Sequence, residues 1–165
     1  MNNHMQSHSA FSITEITVTI GIISLLAYIA VSAYPKYKAR SQITAAMRVL
    51  ESYSTAAQNY YTENGVMPSS LSQIGGAYIP TSNDAISGIN LPPGNYSANS
   101  ISITATFVAT TQATLALRNN TLTLQLTINN AASSYTNGVF SLICSAPSIP
   151  NDYLPTSCQP IGTQQ

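Results

Sequence analysis

Charge is what this chain has least of: Asp, Glu, Lys and Arg make up 6% of its 165 residues, against roughly 25% in an average soluble domain. Net charge is zero and tryptophan is absent. Bulk electrostatics therefore draw the chain to no polyanion. A direct nucleic-acid contact, which needs several Lys or Arg side chains on phosphates, is not expected. Histidine is confined to His4 and His8. There is no Gly-rich phosphate loop, no pair of carboxylates at useful spacing and no nucleophile elbow. The chain does not read as an enzyme, and no catalytic residue is predicted. Nor is a cofactor or metal site. Asp84 and Asp152 are the only acidic residues after Glu63, too few for a calcium site, and two cysteines without nearby partners make a poor zinc site.

Polarity comes instead from Ser, Thr, Asn and Gln, concentrated after Asn95. A surface of hydroxyls and amides with little charge suits packing against copies of itself. The basic residues are unevenly placed: Lys36, Lys38, Arg40 and Arg48 fall close together, and Arg118 is the only later one. Because the cluster directly follows an apolar span, it reads as a membrane-flanking or solvated helix face in preference to a phosphate site. Cys144 and Cys158 are the only cysteines. An even count in a chain with a membrane-directed N-terminus favours a disulfide and an oxidising compartment.

Long apolar runs are not lacking. Phe11 to Ala33 carries a single charge, Glu15, over about the length that crosses a bilayer. No basic region precedes it and the run is too long for an ordinary secretory signal. A lone ionisable residue inside such a span costs several kcal/mol unless it is paired, which makes Glu15 a candidate functional residue. Gly21, Ser24, Ala27, Ala30 and Ala33 recur every third residue. Steps of three advance about 300° on an α-helix, so these small side chains spiral around the rod and would let several neighbours approach closely.

The helical pattern continues past the span. Ile43, Met47, Leu50, Ser54, Ala57 and Tyr61 recur at steps of three and four, flanked by Tyr53 and Tyr60, which is an amphipathic helix. Asn64-Gly65 is a stop signal, with Pro68 beyond. A helix from Phe11 to Asn64 would be roughly 80 Å long, more than a domain of this size can enclose. Pro35 inside it predicts a kink or a melted turn, because it removes a donor and crowds the Val31 carbonyl. From Gly65 to about Asn99 the composition predicts a long ordered loop. Alternation then predicts strands at 101–107 and 122–128, with neighbours at 113–118 and 138–144 and a hairpin turn at Asn119-Asn120. The expected class is α+β: a long N-terminal helix, hydrophobic in its protruding half and amphipathic in the other, packed on a C-terminal antiparallel β-sheet.

The stretch FSITEITVTIGIISLLAYIAVSAYPKYKARSQ, Phe11 to Gln42, resembles the N-terminal signature of type IV pilins of the "a" subclass. Tyr60 to Gly65 (YYTENG) and Cys144 to Cys158 (CSAPSIPNDYLPTSC) are similar to that family's helix end and disulfide-bounded loop. The resemblance implies a leader at 1–10, a transmembrane and fibre-core helix at 11–35 and a globular domain at 36–165. It implies that a prepilin peptidase cuts between Ala10 and Phe11, that Phe11 is then N-methylated, and that Glu15 pairs with the Phe11 ammonium of a neighbouring subunit. Cys144 and Cys158 would close the C-terminal loop. The implied partners are other pilin subunits in a homopolymer, the peptidase, the assembly machinery of the inner membrane and that membrane itself. The final location would be an extracellular fibre serving adhesion, twitching motility or DNA uptake. Ala10 stands where the family prefers Gly, and Ser32 where it usually has proline, with Pro35 three residues later. The leader has no Lys or Arg, so the positive-inside rule alone would place the C-terminal domain in the cytoplasm; the expected disulfide implies the opposite side and is preferred, because the C-terminal resemblance extends beyond the cysteines. Two alternatives share the signature: a pseudopilin of type II secretion, and a minor pilin acting as DNA receptor. The disulfide loop disfavours the first, and Arg118 as the lone late basic residue disfavours the second.

Overall fold

A computed structural model of the chain describes residues 12–92, 96–97, 99–129 and 139–158, with the backbone alone at Ser32, Tyr96, Ser97 and Asn129. The expected leader, Ala10 and Phe11 lie outside the described residues, as does residue 138 at the start of the last expected strand. The boundary between the chain's two compact units falls between Pro35 and Lys36.

Helix α1 spans Ile13–Asn64 and is uninterrupted at Pro35. It ends where the sequence says it should. Gly65 adopts φ +71° and donates its N–H to the Tyr61 carbonyl at 2.8 Å, the left-handed C-terminal cap that glycine adopts without a Cβ penalty. From Ala39 onward, one stripe of α1 is buried: Ala39, Ile43, Ala46, Leu50, Ser54 and Ala57. Met47, Tyr53, Tyr60 and Tyr61 pack at its flanks.

That stripe lies on an antiparallel sheet of β1 (Ile86–Asn90), β2 (Tyr96–Ser97), β3 (Ser100–Phe107), β4 (Thr121–Asn129) and β5 (Val139–Ser145). The strand order is β1-β3-β4-β5, with the short β2 also paired to β3. Alternation decides which side chains reach the helix. Ile101, Ile103, Ala105 and Phe107 of β3 and Leu122, Leu124, Leu126 and Ile128 of β4 are all buried. They sit opposite one another in register, Ile101 against Leu126 and Ile103 against Leu124. The other face is hydroxylic, with Thr104 and Thr123 bonded across strands at 2.9 Å. Among the described residues no strand carries a charged side chain. The α+β architecture is as expected.

Three local expectations fail. Residues 113–118 form a turn, not a strand. Leu117 N–H donates to the Thr114 carbonyl and Asn120 N–H to that of Leu117, and Arg118 Nε to that of Ala113. The buried residues there, Ala113 and Leu117, are four apart, the spacing of a helical turn and not of a strand. Asn119 does turn, at φ +58°, but as the end of a connection from 108 to 120 and not as the centre of a two-residue hairpin. Conversely, the expected loop from Gly65 contains β1. A register shift between Ile86 and Gly88 leaves the buried Ile86 and Ile89 three residues apart, so the period of two that marks a strand is broken by a bulge.

Candidate functional site

Two regions stand out: the uncovered first half of α1, and the C-terminal loop with what holds it. Ile13–Val31 is long and apolar enough to cross a membrane, and none of it is buried. Ile13 is 82% and Leu25 71% exposed. Apolar surface on that scale is unfavourable in water and needs lipid or further protein to cover it.

Glu15, the one carboxylate in this stretch, sits in the first turn of α1. Its Oε2 accepts the Ser12 N–H at 3.0 Å, and the Ser12 hydroxyl bonds that of Thr14 at 2.8 Å. This is half of a capping box: the third helical residue reaches back to satisfy an N–H that has no partner inside the helix. Negative charge there also complements the helix dipole. The spacing Ser12-x-x-Glu15 is legible in the sequence, but an interpretation based on the cost of an intramembrane charge passes over it.

Cys144, near the end of β5, is joined to Cys158, with Cα atoms 4.6 Å apart. Cys158 is buried, and its Sγ lies 3.6 Å from Met47 Sδ on α1. The loop between the cysteines is held to the same helix by two of the clustered basic residues. Arg40 donates from Nε and Nη2 to the Asp152 carbonyl at 3.1 and 2.9 Å. Lys36 Nζ lies 3.3 Å from Asp152 Oδ2. The ion pair is exposed and worth at most about 1 kcal/mol; the paired hydrogen bonds to a fixed carbonyl define the geometry. At least Lys36 and Arg40 are therefore more than a solvated face. The signal available in the sequence was Asp152, the sole acid in the cystine loop.

Gln42 was missed as well. Its Oε1 accepts the Thr114 N–H at 2.9 Å and the Thr114 hydroxyl at 2.8 Å, while its Nε2 donates to the Gln112 carbonyl. It thereby clamps the β3–β4 connection to α1. Nearby, Tyr78 donates to Asp84 Oδ2, which also accepts the Thr81 N–H, both at 2.8 Å. The backbone bond from Thr81, then that from Tyr78, hold the Asp84 carboxyl below the usual carboxylate range. Burial, aided by Asp84, pushes the Tyr78 hydroxyl up to about 12. Among the described residues no group of three His, Cys, Asp or Glu side chains could hold a metal ion. What the arrangement offers is structural: a domain locked by a covalent loop, attached to an apolar helix left uncovered.

Comparison with known proteins agrees. The family model for pilin, a bacterial filament protein, matches residues 39–159. The fimbrial protein EcpC of Eikenella corrodens is 32% identical over 166 residues, 96% of this chain and 95% of that one. The type IV major pilin protein PilE of Neisseria gonorrhoeae is 34% identical over 58 residues, 35% of each chain. A fimbrial protein of Pseudomonas aeruginosa is 33% identical over 66 residues, 40% of this chain and 43% of that protein. With an uncovered apolar helix, a packed α+β domain, a closing disulfide and these relatives, the chain belongs to the pilin family as a type IV pilin, a structural subunit of a bacterial filament.

Proposed function

We propose that the chain is held in the inner membrane by residues 11–35 and is cut by a prepilin peptidase between Ala10 and Phe11. Phe11 is then N-methylated, and the inner-membrane assembly machinery adds the subunit to an extracellular fibre. Residues 36–165 form the globular part that the fibre displays for adhesion, twitching motility or DNA uptake. Motility comes from assembly and retraction driven by other proteins, not from this chain. The observation that carries this reading is the bare apolar stretch Ile13–Val31, which lipid covers before assembly and other copies of the helix cover afterwards.

Glu15 has the same two-stage logic. Within one subunit its carboxylate caps the Ser12 amide, and a carboxylate among apolar side chains is worth most when paired with a positive charge. The Phe11 ammonium of a neighbouring subunit supplies that charge during assembly. Pro35 removes one backbone hydrogen bond from α1 and serves as the place where the helix can bend in the fibre. The deciding experiment is the intact mass of subunits from sheared surface fibres. An abundant species beginning at N-methylated Phe11, two hydrogens lighter than its reduced form, is the expected result. Uncut chain retained in the membrane and absent from fibres would sink the reading.

A further inference from the structure

The outward side of α1 changes character along the globular part. Tyr37, Arg40, Ser41, Thr44, Ala45 and Arg48 share one helix face by their spacing, are all exposed and line one surface depression. Further along, the same face reads Glu51, Ser52, Thr55 and Asn59 and carries no positive charge. Positive charge on this face is thus confined to its first turns, next in sequence after the apolar span. Between residues 36 and 48 stand four basic side chains and no acidic one.

Little of that charge is neutralised within the subunit. Among the described residues the one ion pair joins Lys36 to Asp152. Arg48 enters none, although Glu51 is one turn away. Arg40 gives two N–H groups to the Asp152 carbonyl. These bonds fix the guanidinium, keep its charge and leave three of its five donors free for an acceptor outside. A second depression shares Arg40 and Thr44 with the first and adds Tyr153 and Thr156. Oriented guanidinium groups among hydroxyls suit phosphate oxygens. Tyr37, 76% exposed, offers the amphipathic ring that favours a headgroup layer.

A face with so few charges does not hold nucleic acid from dilute solution, which takes many phosphate contacts. A membrane surface differs, because a chain tethered beside it meets it at high effective concentration. An anionic leaflet also attracts each Lys or Arg that comes close. We infer, on the reading that residues 11–35 span the membrane, that this face rests on anionic phospholipid headgroups before assembly. Arg40 and Arg48 take phosphate oxygens, the Ser41 hydroxyl lies between them, and Tyr37 enters the headgroup layer. The two arginines are about 12 Å apart along the helix, so the domain lies against the surface instead of standing off it. Such contacts are screened by salt and individually weak, which leaves the subunit free to be lifted into the fibre.

The test uses the full chain with methyl-labelled alanine in lipid nanodiscs that carry a spin-labelled headgroup. Broadening of the Ala45 methyl is compared with that of the buried Ala105. In discs containing phosphatidylglycerol, Ala45 should broaden strongly, and high salt should reverse it. In discs of phosphatidylcholine alone it should not. Removing one charge by Arg48→Gln should cut the effect about fivefold, Arg48→Glu should cut it further, and Arg48→Lys should keep most of it. Equal broadening in both lipids, or none in either, overturns the inference. So does indifference to Arg48→Glu. A shift of Ala45 on adding inorganic phosphate to phosphatidylcholine discs would assign the depression to a soluble anion and also overturn it. Flotation of the carbonate-washed chain with vesicles separates the two readings. A chain that fails to float overturns the span itself, whereas a floating chain with an unbroadened Ala45 overturns only the lipid contact.

Discussion

Three hydrogen bonds from one side-chain amide, that of Gln42, tie α1 to the connection between β3 and β4. Replacing it with leucine keeps the bulk but strands the Thr114 amide and the Gln112 carbonyl. Gln42→Leu is expected to lower the unfolding free energy by about 2 kcal/mol, measured by denaturant titration with an unchanged m-value. The Tyr78–Asp84 pair carries a pH dependence of defined sign. The folded pKa of Tyr78 is raised from 10.0 to about 12, so its contribution is complete below pH 10 and is lost as pH rises toward 12. The folded pKa of Asp84 is lowered from 3.8, so its contribution is present above that value and is lost as pH falls through the lowered one. In a spectrophotometric tyrosine titration, Tyr78→Phe should remove a step near pH 12. Glu15 can be split into its two roles by the same kind of substitution. Gln keeps an acceptor for the Ser12 N–H but removes the charge. Glu15→Gln is therefore expected to leave the helix intact and to abolish fibres; normal yields of sheared fibre would reduce Glu15 to a cap.

At the scale of the element, α1 is one helix with two surroundings. From Ala39 its stripe meets the sheet, while Ile13–Val31 is uncovered along its whole length. The small residues Gly21, Ser24, Ala27, Ala30 and Ala33 spiral around that uncovered part, and a Cβ built on Gly21 meets nothing within 4 Å. In a single subunit the spiral therefore has no packing role at Gly21; close approach of other helices would give it one. Changing both Ala27 and Ala30 to Leu should block fibre formation while membrane insertion, read by carbonate extraction, stays normal. The sheet shows the complementary rule. β4 follows a period of two and β3 does so for its apolar residues, with only Ser102 buried out of turn, whereas β1 is bulged and Leu142 of β5 is half exposed.

For the whole molecule, the disulfide and its docking decide how the globular part closes. Cys144–Cys158 fixes the end of β5 to a loop that Arg40 holds against α1. Closing a loop of this length contributes on the order of 3 kcal/mol through the unfolded state. Reduction, or substitution of both cysteines by Ala, should lower the thermal midpoint of the full chain in detergent and raise protease cutting between residues 145 and 158. The low charge acts at the same scale. A sheet without a charged residue has little self-repulsion, which suits a protein whose working state is a fibre of copies.

The sequence alone determined the parts of this protein that are periodic or punctuated. The apolar run after Phe11, the three-and-four spacing from Ile43 to Tyr61, the Asn64-Gly65 stop and the alternation in β3 and β4 are local signals, each readable within one or two turns of chain. Ser12-x-x-Glu15 was equally local and shows that a second meaning can hide behind a conspicuous one. Tertiary structure alone decided the rest. Ile86 and Ile89 are strand residues only because a bulge against Thr106 and Phe107 turns both inward. Ala113 and Leu117 are a turn because Gln42, some 70 positions earlier, bonds the backbone at Gln112 and Thr114, on either side of Ala113. Arg40 meets Asp152 across 112 residues. Such contacts depend on which surfaces the packing of helix on sheet brings together, and no window of sequence holds both partners.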